Sequence, residues 1–117
     1  MSYVDGFVAA VPTKNKESYL KHAQIASTVF KEYGALKVVD CWGDDVPDGK
    51  YTSFPLAVKK QSDETVLFGW IVWPDKTTRD VAMQKAMEDP RMQEEENPMP
   101  FDGKRLIYGG FEMMFEA

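Results

Sequence analysis

Val66-Leu67-Phe68-Gly69-Trp70-Ile71-Val72-Trp73 is the stretch whose reading decides the fold. It is rich in β-branched and aromatic residues and is stopped by Pro74, so it reads as a strand. Side chains on a strand alternate between faces. Phe68, Trp70 and Val72 therefore share one face, and Leu67, Ile71 and Trp73 share the other. A sheet covered on one side alternates apolar with polar residues. This segment is greasy on both sides, so both faces of its sheet need a cover.

Working outward, residues 3–11 read as a first strand with Tyr3 and Phe7 opposed to Val4 and Val8. A helix follows to about Tyr33, with Thr13 or Asn15 as its expected cap and Tyr19, Ala23, Ala26, Phe30 and Tyr33 as its apolar stripe. Residues 36–42 form a second strand, and the turn formers at 43–52 connect it to a short third one at 54–59. The polar residues 61–65 then make a hairpin into the segment quoted above. Asp75 caps a second helix to about Met87, and Asp89-Pro90 breaks it. A long loop leads to a last strand at 105–115, where Tyr108 and Met114 oppose Phe111, Met113 and Phe115. Gly109-Gly110 marks a bulge or a close approach within it.

With the short third strand counted within its hairpin, the order is β-α-β-β-α-β. Val11-Pro12-Thr13-Lys14 and Trp73-Pro74-Asp75-Lys76 repeat the same strand-to-helix grammar. The expected fold class is α+β: a ferredoxin-like antiparallel sheet whose right-handed crossovers put both helices on one face. The helix-free face then carries at least three large side chains. At roughly 150–250 Å² each, they match or exceed the largest apolar patch of a typical monomer, roughly 300–600 Å². The expected cover is the same face of a second copy, making a homodimeric barrel. The alternative cover is the loop at residues 90–104.

The 117 residues suit one domain spanning 1–117. The formal charge is −5, which disfavours nucleic acid as a partner, because phosphate binding needs clustered Lys and Arg. The acidic residues Glu88, Asp89 and Glu94 to Glu96 read as a solvated helix end and loop. No apolar run approaches the ~18 residues of a membrane-spanning helix. The opening Met1-Ser2-Tyr3-Val4-Asp5 shows no basic leader before an apolar core. With one cysteine, Cys41, no internal disulfide is possible, and a reducing cytoplasm is the expected location. Mid-strand, that thiol is expected to be buried and inert.

Against this background several motifs carry the resemblance of the chain to a known group. They are Tyr3-Val4-Asp5-Gly6-Phe7, Phe30-Lys31-Glu32-Tyr33-Gly34-Ala35-Leu36, Asp45-Val46-Pro47-Asp48-Gly49-Lys50, Asp89-Pro90-Arg91-Met92, and Met99-Pro100-Phe101-Asp102-Gly103-Lys104-Arg105. The last continues into Ile107-Tyr108-Gly109-Gly110-Phe111-Glu112. The chain resembles, end to end, the YbaA-like family of bacterial proteins, a domain of unknown function in the dimeric α+β barrel superfamily. The resemblance implies the ferredoxin-like dimer and implies no activity. The wider superfamily includes cofactor-independent monooxygenases, isomerases and dehydratases of ring compounds, and haem enzymes, an analogy of fold alone.

The candidate catalytic residues are His22 and Asp40. His22 is the single histidine and titrates near neutrality without help. Asp40 interrupts apolar neighbours in the second strand, a setting in which a carboxylate is paired or becomes a base. A surface histidine and a structural ion pair with Lys or Arg are the plainer alternatives. Trp42, Trp70 and Tyr108 are candidates to line a flat pocket for a planar ligand. Arg105, with Lys104, is a candidate to hold an anion, or else pins the last strand. One histidine and one cysteine cannot build a zinc site, and no phosphate loop follows a strand, so neither metal nor nucleotide cofactor is expected. The function these residues suggest is binding or transforming a small planar molecule. A non-catalytic dimeric binding or stress-related module is the alternative.

Overall fold

The computed structural model describes residues 2–117. Met1, the first residue of the stretch read for a leader, lies outside them. The chain is α+β. Strands β1 (Tyr3–Pro12), β2 (Lys37–Trp42), β3 (Glu64–Trp73) and β4 (Ile107–Glu112) form one antiparallel sheet in the order β2-β3-β1-β4. Helix α1 (Lys16–Glu32) follows β1 and helix α3 (Lys76–Glu88) follows β3, while a single short turn of helix, α2 (Phe54–Ala57), precedes β3. Among the described residues no helix is long and apolar enough to cross a membrane.

The register sets the two faces. Tyr3 pairs with Trp73, Asp5 with Ile71, Phe7 with Gly69 and Ala9 with Leu67, and side chains of facing residues lie on the same side. Val38 and Trp42 of β2 and Tyr108 of β4 join that side. It is the side the helices cover: Tyr19 of α1 packs on Leu67 and Val11, and Ala82 of α3 packs on Ile71 and Trp73. The opposite side carries Val4, Val8, Phe68, Trp70, Val72, Ile107 and Phe111, as the alternation in the quoted stretch requires.

The expected third strand is not a strand. Residues 54–59 start with helix α2, because Ser53 accepts a hydrogen bond from the Leu56 amide at 3.0 Å and Pro55 occupies the first turn. The hairpin into β3 is therefore absent. Instead, Val58 and Val46 pack on Val8, Ala10 and Val66, covering one end of the helix-free face. The last strand is also shorter than expected, because Arg105 lies in a 3-10 turn, Gly103–Arg105, ahead of Ile107. Its pairing runs one to one through Gly109 and Gly110, so no bulge forms. Gly110 is a close approach: a Cβ there would collide with the Arg79 guanidinium and the Tyr3 hydroxyl.

Asp75 caps α3 as expected, accepting from the Thr78 amide at 2.7 Å. Neither Thr13 nor Asn15 caps α1. The Thr13 hydroxyl meets that of Thr65 at 2.7 Å, and the Asn15 amide donates to the Pro100 carbonyl at 2.8 Å. That last bond is one anchor of the long connection at residues 89–106, which lies on the helix side of the sheet and not across the helix-free face. At one end of the connection Asp89 is buried, accepting from the Tyr33 hydroxyl at 2.6 Å and from Arg91. The Arg91 hydrogen bonds, first among the causes, hold the Asp89 carboxyl well below its usual range. So one member of the acidic run is an anchor, not a solvated charge. At the other end Arg105 grips buried Glu64 through two nitrogens, at 2.7 and 2.6 Å.

The Glu64–Arg105 pair gives a test of this frame. The Arg105 hydrogen bonds lower the Glu64 pKa, so the folded state binds its proton less readily than the unfolded chain. Its stabilisation is present above the ordinary carboxylate range and is lost as pH falls through the lowered folded value. Acid unfolding of Glu64→Gln, followed by circular dichroism, is expected to show a flatter acid limb than wild type. Arg105→Met is expected to lower Tm more than Glu64→Gln, because it strands a buried carboxylate where the other leaves a neutral amide. Equal acid limbs for wild type and Glu64→Gln would refute the role given to the pair.

Candidate functional site

Between α1 and the sheet lies a cavity of about 230 Å³. Its floor is Phe7, Ala9, Val38 and Ile71, its roof Tyr19, His22, Ala23, Ala26 and Phe30, and Met83 of α3 joins Met92, Met99, Phe101 and Leu106 around them. Small residues line it on both sides, Ala9 on the sheet and Ala23 and Ala26 on α1. Gly69 lets Phe7 lie across the sheet, since a Cβ at 69 would strike the Phe7 ring and the Val39 carbonyl. The walls are close-packed on the sheet side, where Ala9, Leu67 and Ile71 are buried.

The polar groups lining the cavity are few and separately held. Asp5 accepts from Arg79 Nε at 3.1 and 3.2 Å and from Trp73 Nε1 at 2.9 Å, so its charge is matched. The Tyr19 hydroxyl donates to Asp40 Oδ1 at 2.6 Å. Burial, the hydrogen bond to Asp40 and the Asp40 charge, in that order, push the Tyr19 phenol far above its usual value, so it stays a neutral donor. His22 Nδ1 stands 3.0 Å from Asn97 Oδ1, and Asn97 Nδ2 donates to the His22 carbonyl at 3.4 Å. With that amide orientation Asn97 Oδ1 is the acceptor, which puts the imidazole proton on Nδ1 and leaves Nε2 as the basic nitrogen. The His22 ring stands edge-on to Phe101, with centroids 6.3 Å apart.

Of the residues picked out in the sequence, His22, Asp40 and Tyr108 line this cavity. His22 and Asp40 share no hydrogen bond. Tyr19 stands between them, its ring 5.9 Å from the imidazole and its hydroxyl on the carboxylate. Asp40 is thus paired, as one alternative required, but with a phenol and not with a lysine or arginine. Trp42 lines a smaller groove on the far side of the Tyr19–Asp40 pair, with the Lys16 ammonium 5.6 Å above its ring. Trp70 is separated from the others: strand alternation sends it to the helix-free face, against Phe68 at 5.7 Å. Arg105 does not line the cavity, because Glu64, Asp102 and the Lys59 carbonyl occupy its donors. Cys41 is exposed rather than buried, since β2 is an edge strand and the thiol points to the helix-free side, opposite Phe68.

Asn97, Phe101 and the methionines of the connection were not legible as site residues. They reach the cavity only through the path of the chain after Pro90, and no local spacing encodes it. Tyr19 was legible only as part of the apolar stripe. Among the described residues no three His, Cys, Asp or Glu side chains converge to hold a metal ion. What remains is an apolar chamber with one proton-accepting nitrogen and one hydroxyl–carboxylate pair.

Asn97 is buried and bonded to α1 through both its polar atoms. Asn97→Ala is expected to cost about 1–3 kcal/mol of stability, the typical penalty for leaving buried partners unsatisfied. It is also expected to speed limited proteolysis within residues 93–101 while cleavage elsewhere stays slow. Unchanged proteolysis of that segment would remove Asn97 as its anchor.

Comparison with known proteins finds relatives along nearly the whole chain. The family model described as "Protein of unknown function (DUF1428)" matches residues 2–103. The "Uncharacterized protein YbaA" of Escherichia coli (strain K12) is 56% identical over 116 residues, 99% of either chain. The protein of the same description from Shigella flexneri is likewise 56% identical over 99% of either chain. A match across this much of its length shows that the chain belongs to the DUF1428 family, the group of proteins like YbaA whose function is unknown.

Proposed function

We propose that the chain binds a small planar organic molecule beneath α1 and takes a proton from it without a cofactor, either returning that proton at another carbon, as an isomerase does, or leaving the substrate anion to be oxidised by dioxygen, one oxygen atom entering the product and the other leaving as water, as a cofactor-independent monooxygenase does. One observation carries the reading: an apolar, aromatic-walled cavity with the imidazole of His22 at its edge and its Nδ1 held by Asn97. An apolar chamber with few placed polar groups is the common form of a small-molecule site. His22 Nε2 takes the proton, the aromatic rings hold the ligand plane, and Tyr19–Asp40 orients a polar substituent. Tyr108, exposed on edge strand β4, borders the entrance. A non-catalytic binding module is the second reading. It is favoured by the absence of any hydrogen bond joining His22 to Asp40, which leaves no relay of two acids and bases.

The working form in this reading is a homodimer of ferredoxin-like subunits closed into a barrel. The strand order β2-β3-β1-β4 with α1 and α3 on one side supports the subunit fold. The helix-free face supports the dimer: Phe111 is 62% exposed, Phe54 49% and Phe68 41%, with Ile107 beside them. Helix α2 covers only one end of this surface. A second copy would bury the rest, Cys41 included.

Two experiments test this. Light scattering on the purified chain is expected to give the mass of a dimer, and Phe111→Glu is expected to give a monomer that keeps its circular dichroism. A compact wild-type monomer at high concentration overturns the dimer. A screen of planar aromatic compounds by thermal shift is expected to yield ligands whose binding Ala23→Trp abolishes by filling the cavity. For any turnover found with such a ligand, His22→Ala is expected to lower kcat about 100-fold or more, the usual contribution of general base catalysis. Binding that persists with no turnover selects the non-catalytic reading.

A further inference from the structure

The cavity has an electrostatic asymmetry that narrows its ligand. Two carboxylates on the helix side of the sheet line it, Asp5 and Asp40. Asp5 is neutralised by Arg79. Asp40 receives only the neutral Tyr19 hydroxyl, on one of its two oxygens. Among the described residues no lysine or arginine lies within ion-pair distance of Asp40. The Lys16 ammonium lines a smaller groove together with Asp40, but it sits over the Trp42 ring, 5.6 Å from its centroid, and forms no ion pair with the carboxylate.

We propose that this cavity takes an organic cation: a small apolar molecule carrying a protonated amine, its positive group against Asp40 and its apolar body among the rings of Phe7, Tyr19 and Phe101. The inference rests on the reading of the cavity as a ligand site and specifies the charge of what fills it. Ring faces attract a cation through their quadrupoles, and the Met83 and Met99 thioethers add polarisable surface. A carboxylate ligand meets the opposite conditions. Asp40 repels it, and the Tyr19 donor is already spent on Asp40. The overall charge of −5 also draws cations toward the chain.

Benzylamine, benzyl alcohol and benzoate have nearly the same body and differ in charge, so they separate the contributions. Each is titrated into the full-length ¹⁵N-labelled chain near neutral pH, with amide shifts read along α1 and at residue 40. Benzylamine is expected to bind about tenfold tighter than benzyl alcohol, the equivalent of about 1.4 kcal/mol, with benzoate the weakest. Asp40→Asn is expected to erase the preference, so that benzylamine and benzyl alcohol bind the variant with equal affinity. Tyr19→Phe, which frees the second carboxylate oxygen, is expected to keep the preference. Equal affinity for amine and alcohol in wild type overturns the proposal without recourse to any variant. A preference that survives Asp40→Asn overturns the assignment of the charge to Asp40. If none of the three compounds moves cavity resonances, the ligand site itself fails; alcohol binding without preference removes only the cation.

Discussion

Everything in this fold follows from the antiparallel pairing of β1 with β3 at the centre of the sheet. That register places Leu67, Ile71 and Trp73 beside Ala9, Asp5 and Tyr3 on one side, and Phe68, Trp70 and Val72 beside Val8, Gly6 and Val4 on the other. A slip of one residue would exchange the two sets. It would also separate Phe7 from Gly69, and with that pair would go the flat floor of the cavity. The same pairing thus determines which surface α1 and α3 cover, which surface stays apolar and open, and where empty space survives inside.

The space survives because of the connection between α3 and β4, which closes over the cavity instead of filling it. It is tied down at intervals: Asp89 to Tyr33, Asn97 to His22, Pro100 to Asn15, and Arg105 to Glu64. Of these ties one reaches α1, one the turn before it, one the residue that follows it, and the fourth the start of β3. The side chains it lowers into the chamber, Met92, Met99 and Phe101, are flexible or flat. Polar bonds thus anchor the connection along its length, while its apolar side chains meet those of α1 and the sheet inside.

Much of the sheet and helix pattern was legible, because it is written in periodicity. The alternation in β3, the stripe of α1 and the Asp75 cap each act within a few residues. What failed was where local signals competed. Phe54 to Lys59 has the composition of a strand, yet Ser53 and Pro55 supply the two strongest helix-starting groups in succession and win. Asn15 has the chemistry of a cap, but the Pro100 carbonyl, far along the chain, claims its amide. Trp70 and Trp42 are both aromatic and both on strands, and only the pairing of β2 with β3 reveals that they face opposite ways. Arg105 was read as an anion site or a pin. In the structure two bonds hold it to the buried Glu64.

The contrast between the two carboxylates extends this reasoning to chemistry. Asp5 lies on a central strand, beneath α3, where an unpaired charge would be intolerable, and Arg79 and Trp73 meet it there. Asp40 lies on edge strand β2, where solvent reaches it, so the fold tolerates a carboxylate answered only by a phenol. Stability demands a cationic partner for the first and none for the second. Asp40 serves the fold as the acceptor for the buried Tyr19 hydroxyl, while its charge meets no lysine or arginine within ion-pair distance among the described residues. In the ligand-binding reading proposed above, Asp40 is therefore the carboxylate that a ligand, and not an internal ion pair, would answer.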